Sequence, residues 1–119
     1  MSNKIIITVA LSLLALGAQA QDAAAGKTAF AQCSACHSVD GGNGVGPSLK
    51  GVVGRKAGSY AGFRFSRAMK NANVTWDEKS LDAYLANPQQ AVPGNVMPFS
   101  GVADAKQRGD IVAFLVTLK

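Results

Sequence analysis

The 119-residue sequence predicts a small all-α domain with helices at its two ends and a long irregular wrap between them. Three observations carry this. No segment alternates apolar and polar residues with a period of two. The C-terminal stretch places Ile111, Phe114, Leu115 and Leu118 at i, i+3, i+4 and i+7, behind an Asp104–Gln107 capping pattern. Residues 41–62 contain eight glycines, too many for a helix or strand.

Taken in order, Met1–Lys4 is a short basic start, and the 13 residues Ile5–Gly17 carry no charge. Ala18-Gln19-Ala20 reads as a small-x-small cleavage site, so residues 1–20 have the layout of a secretory signal peptide. The apolar run falls short of the ~20 residues of a membrane span, which leaves an uncleaved anchor as the alternative. Removing residues 1–20 leaves 99, with 11 basic and 7 acidic side chains. A domain of that size with eight aromatics has a modest core, and a staple of some kind is expected. Its composition excludes a two-domain enzyme, a collagen, a coiled coil and a disordered tail. No second apolar segment occurs, so the mature chain is expected to be soluble.

Asp22 is placed to cap a first helix over Ala23–Ala35, where Gly26 costs helix propensity but permits the close approach of another element. Gly42-Asn43-Gly44-Val45-Gly46 is no phosphate loop, since no strand precedes it and no Lys-Ser/Thr follows. Helix resumes briefly over Ser66–Ala72. Thr75 with Glu78 reads as a capping box for a helix bearing Leu81, Tyr84 and Leu85 and ending before Pro88. A loop as long and glycine-rich as 41–62 needs something to wrap around.

Both cysteines and the only histidine lie in Cys33-Ser34-Ala35-Cys36-His37. A disulfide here would close a tiny loop and remove little chain entropy. A redox dithiol would follow a buried strand, and residues 23–32 are Ala-rich and helical. A zinc site lacks a fourth Cys or His, and adjacent ligands at Cys36 and His37 suit a tetrahedron badly. Two structural thiols are uncommon in an oxidising compartment. The pattern favours covalent haem attachment, with both thiols on haem vinyl groups and His37 on iron. A single His excludes bis-histidine ligation within the chain, so the sixth ligand is Met, Lys, water or nothing; after signal removal Met69 and Met97 are the thioether candidates. Met69 sits in a helical turn and reads as core filler. Met97 precedes Pro98, which drives it out of helix into a stiff extended loop, and it is preferred as ligand.

With Gly26, Phe30, Gly46-Pro47-Ser48-Leu49, Val53-Gly54-Arg55-Lys56, Trp76, Tyr84-Leu85, Asn87-Pro88, Pro93–Phe99 and Ile111–Leu115 added, residues 24–119 resemble class I c-type cytochromes, specifically the mitochondrial-like soluble monohaem carriers of bacteria. The resemblance implies the cytochrome c fold, with terminal helices packed together and loops and short helices wrapping one covalent haem c. It implies thioethers at Cys33 and Cys36, His37 as proximal and Met97 as distal ligand, and a Pro47 carbonyl accepting from the His37 ring. Arg55 and Trp76 would hold a propionate, Tyr84 would lie beside the Met97 sulfur, and Gly26 and Phe30 would pack against the last helix near Phe114. Two departures stand out. Phe65 replaces a propionate-binding Tyr of many relatives, and Gln32, Gln89, Gln90 and Val96 stand where relatives often carry lysines. The implied function is a monomeric periplasmic one-electron carrier, with no nucleic-acid partner, between a cytochrome bc complex and a terminal oxidase or photosynthetic reaction centre. His with Met favours the reduced state, and with both axial positions filled, catalysis on a substrate is not expected. The alternatives are a ligand-binding or peroxidase-like haem protein with a labile Met97, and an electron-accepting subunit of a periplasmic dehydrogenase.

Overall fold

The computed structural model describes residues 21–119; the expected signal peptide, 1–20, lies outside the described residues. Five helices follow in order: α1 (Ala23–Ala29), α2 (Arg67–Lys70), α3 (Glu78–Ala86), α4 (Pro88–Ala91) and α5 (Ala105–Val116), with a 3₁₀ turn at Phe30–Gln32. Among the described residues the β-structure is one isolated antiparallel bridge, Lys56 to Thr75.

α1 and α5 cross at a glycine. A Cβ on Gly26 would lie 1.8 Å from the Asp110 carbonyl oxygen, so only a residue without one lets the two backbones meet. Beside the crossing, Phe30 and Phe114 rings stand 5.2 Å apart and tilted. The Asp110 carboxylate accepts from the Asp22 backbone N–H at 2.8 Å and from Lys106 Nζ four residues earlier, fastening the start of α1 to α5. Asp22 caps α1 by accepting from Ala24 N and Ala25 N, and Asp104 caps α5 through Gln107 N at 2.9 Å. Both caps are local in sequence and form as expected.

Two expectations are corrected. The first helix does not run to Ala35. It tightens to a 3₁₀ turn at Phe30 and continues as a hydrogen-bonded turn, with Cys36 N and His37 N both donating to the Cys33 carbonyl at 3.1 and 3.0 Å. The capping box is formed by Asp77 and Ser80, not by Thr75 and Glu78: Ser80 N donates to Asp77 Oδ1 at 2.7 Å, and Asp77 N to Ser80 Oγ at 2.9 Å. Thr75 is unavailable because residues 75–76 are held extended against 54–57. Trp76 N donates to the Arg55 carbonyl, and Gly54 N to that of Trp76.

The core joins Leu81, Tyr84 and Leu85 of α3 to Ile111, Val112 and Leu115 of α5. Leu118, expected on the α5 face, lies past the Thr117 cap. It still packs on the core, and its carbonyl accepts from Gly51 N at 2.8 Å, tying the C-terminus to the glycine-rich loop.

Candidate functional site

The turn after the 3₁₀ segment presents Cys33, Cys36 and His37, all half-buried, with both thiols free. Cys33 packs against the apolar core, and burial, then the neighbouring Cys36, raises its pKa. Among the described residues no three His, Cys, Asp or Glu side chains are arranged to hold a metal ion, so the zinc reading has no geometry behind it.

His37 is fixed from two sides. Its Nδ1 lies 2.7 Å from the Pro47 carbonyl. That oxygen can only accept, so Nδ1 carries the proton and the Nε2 lone pair is left for a metal. Gly46 lies against the ring: a Cβ there would stand 2.5 Å from His37 Cε1. The 46–49 segment is strapped to the turn by Gly46 N to the Cys36 carbonyl at 2.8 Å and Leu49 N to that of Ser38 at 2.9 Å. Arg55 braces the same segment, donating to the Ser48 carbonyl at 2.9 Å and to that of Lys50. Its guanidinium also lies 4.1 Å from the Tyr60 ring centroid, and partial burial lowers its pKa. Tyr60 in turn donates to the Gly41 carbonyl.

On the other wall, the Tyr84 and Trp76 rings meet tilted by 55° with centroids 5.1 Å apart, and the Tyr84 hydroxyl lies 3.9 Å from Met97 Sδ. Burial pushes the Tyr84 pKa up to about 12, so the phenol stays a proton donor to that sulfur. Met97 lies outside every helix, whereas Met69 sits within α2; both are half-buried against the core. The Met97 loop is held by Asn95, which is only 6% exposed.

The structure thus pairs His37 with Pro47, Tyr84 with Met97, and Trp76 with both Tyr84 and the Arg55 backbone. Gly46, Tyr60, Gln89 and Asn95 also build the site, and the sequence reading assigned them no such role. The signal for Gly46 was present, since a glycine beside the His-binding Pro47 can leave room for the ring. The pairing of Gln89 with Asn95 depends on the fold of 88–97 and had no signal of its own. Two free thiols on one turn, an imidazole with a free Nε2 and a neighbouring apolar wall suit a flat apolar group held by two thioethers with its iron on the histidine.

Comparison with known proteins agrees. The family described as Cytochrome c matches residues 23–119. Cytochrome c2 iso-2 of Magnetospirillum fulvum is 50% identical over 91 residues, covering 76% of this chain and 95% of the relative. Cytochrome c2 of Rhodomicrobium vannielii is 49% identical over 100 residues, covering 82% and 80%. The solved structure of cytochrome cH from Methylobacterium extorquens superposes with a TM-score of 0.78 at 52% identity, covering 81% of this chain and 98% of that one. With the Cys33–His37 turn, the Pro47-bound histidine and the α1–α5 crossing already in place, the match over residues 23–119 shows that the chain belongs to the cytochrome c family and carries haem c.

Proposed function

We propose that the protein is a soluble periplasmic one-electron carrier whose haem c is ligated by His37 and Met97, taking electrons from a cytochrome bc complex and delivering them to a terminal oxidase or photosynthetic reaction centre. The observation that supports His37 as a ligand is the Pro47–His37 hydrogen bond, which leaves the Nε2 lone pair available; Met97 is supported by its place outside every described helix and by the Tyr84 hydroxyl 3.9 Å from its sulfur. Bound haem supplies a one-electron Fe(III)/Fe(II) couple. The chain's own residues keep the surroundings from reorganising. Cys33 and Cys36 would anchor the group, Pro47 and Gly46 hold the imidazole plane, and the Tyr84 hydroxyl donates to the thioether. Arg55, with donors left beyond Ser48 and Lys50, and Trp76 are the residues proposed to hold a propionate. Among the described residues no helix is long and apolar enough to cross a membrane.

The domain boundary is proposed at Gln21, after a cleaved segment 1–20. Asp22 N donates to Asp110 Oδ1 at 2.8 Å, which supports a boundary ahead of residue 22.

Charge supports a protein partner. Segment 41–76 carries Lys50, Arg55, Lys56, Arg64, Arg67 and Lys70 with no Asp or Glu. Among the described residues the ion-paired cations are Lys106 and Arg108, on Asp110 and Asp82, both outside that segment. α2 also lies against the Met97 loop, with the Ala68 methyl 3.4 Å from where a Cβ on Gly94 would be. A partner with an acidic surface that docks there reaches the edge of the distal loop.

The test is an oxidised and reduced absorption spectrum of the haem-loaded protein, with Met97→Ala and Met69→Ala beside it. Met97→Ala is expected to abolish the weak far-red charge-transfer band of the ferric form and lower the potential, and Met69→Ala to leave the band in place. The opposite pattern would exchange the two methionines. Rapid, complete binding of carbon monoxide to the ferrous protein at neutral pH would favour the gas-binding alternative.

A further inference from the structure

The segment from Pro88 to Met97 is closed by a set of side-chain hydrogen bonds that the electron-carrier reading leaves unused. Gln89, in α4, donates from Nε2 to the Asn95 carbonyl at 2.8 Å and accepts from Gly94 N at Oε1 at 3.1 Å. Asn95 donates from Nδ2 to the carbonyls of Pro88 and Val92, both at 2.9 Å. Its Oδ1 accepts from Met97 N at 3.0 Å. Every partner is a backbone group with one possible role, so neither amide can be flipped without setting donor against donor. Both N–H groups and the oxygen of the buried Asn95 amide are therefore used.

An amide side chain satisfies both partners at position 89. A lysine there would donate to the Asn95 carbonyl and leave Gly94 N–H to water; a glutamate would accept from Gly94 N–H and face the carbonyl with a charge. We propose that Gln89 and Asn95 are positioning residues that hold the Met97 loop in its ligating conformation and slow the release of the thioether from iron. This rests on Met97 being the distal ligand. Gln89 grips the loop at Gly94 and Asn95, and Asn95 carries the constraint to the Met97 backbone. The Tyr84 hydroxyl holds the sulfur end of the same residue. Met97 is thereby held at both its backbone and its sulfur.

The experiment measures how fast exogenous imidazole displaces Met97 from the ferric haem-loaded protein, followed by loss of the far-red band. Gln89 is exposed, so Gln89→Ala is a surface change that leaves the core intact. It is expected to exchange about tenfold faster than wild type, in line with two lost hydrogen bonds of ordinary net worth. Gln89→Met, which keeps the side-chain length without the amide, is expected to match Gln89→Ala. Gln90→Ala is the control: Gln90 is exposed and its backbone N–H donates to Asn87, outside the network, so its rate is expected to stay within twofold of wild type. Asn95→Asp keeps Oδ1 for Met97 N and loses both N–H donors. It is expected to accelerate exchange further, and Gln89→Ala decides the matter if that variant does not fold. A merely structural Gln89 would shift the unfolding midpoint and leave the exchange rate alone. Equal rates for wild type and Gln89→Ala, or equal acceleration in Gln90→Ala, would overturn the clamp while the ligand assignment stands. A wild-type protein without the far-red band, or a band that survives Met97→Ala, would overturn the ligand assignment and the clamp with it.

Discussion

Gly46→Ala isolates the support of the His37 ring. The added methyl would stand 2.5 Å from His37 Cε1 and 2.8 Å from Nδ1. Contacts between such atoms settle near ~3.5 Å or more, so ring and backbone must part by roughly 1 Å. If the ring moves, its 2.7 Å bond to the Pro47 carbonyl stretches beyond hydrogen-bonding range. If the backbone moves, the 2.8 Å bond from Gly46 N to the Cys36 carbonyl fails instead. Either way one hydrogen bond of ~1 kcal/mol is lost on top of an overpacking cost of ~1–3 kcal/mol, about 2–4 kcal/mol together. Denaturant unfolding of the haem-loaded protein measures the loss, and a redox titration reports the changed His37 orientation as a shifted potential. Gly44→Ala is the matched control, because its Cβ would meet only the Cys36 carbonyl at 3.6 Å, an ordinary contact. Stability within ~0.5 kcal/mol of wild type and an unchanged potential in Gly46→Ala would refute the claim that this loop braces the imidazole.

Three further outcomes are expected. Asp110 has a lowered pKa because Lys106 donates to it first and the Asp22 backbone N–H second. Its contribution is therefore fully present above the ordinary carboxylate value of 3.8 and is lost as pH falls through the lowered one. The gap in thermal midpoint between wild type and Asp110→Asn should accordingly be open at neutral pH and close in acid; a gap that widens in acid contradicts the sign. Charge reversal at Lys56 and Lys70 should slow association with an acidic redox partner more than reversal at the exposed Lys79 and Lys119, and added salt should slow the wild type. Stopped-flow rates indifferent to salt would remove the steering role of segment 41–76. Cys33→Ala with Cys36→Ala should leave a chain that loses haem on acid-acetone extraction and does not fold cooperatively, as circular dichroism would show. A stable apo-form of native helicity would mean that the 41–62 wrap does not depend on its centre.

By itself the sequence determined what depends on neighbours along the chain. Asp22 and Asp104 cap their helices because a carboxylate two or three residues before an amide reaches it whatever the rest of the fold does. The Cys33–His37 turn is legible because Cys33, Cys36 and His37 are one hydrogen-bonded unit, and Met97 stays out of helix because Pro98 acts on the residue before it. Contacts between distant segments decided the rest. Thr75 lost the capping role to Asp77 because Lys56, nineteen positions away, holds it extended. The first helix ended at Ala29, where the chain tightens to 3₁₀ and then turns to present Cys36 and His37. Gly46 became a contact surface only once Pro47 brought the His37 ring over it, and Gln89 became half of a clamp only once α4 folded back on Asn95. Capping and turn chemistry are short-range, so residue spacing reveals them. Which backbone carbonyl meets which side chain depends on how the whole chain closes around its core, and no local pattern of residues encodes that.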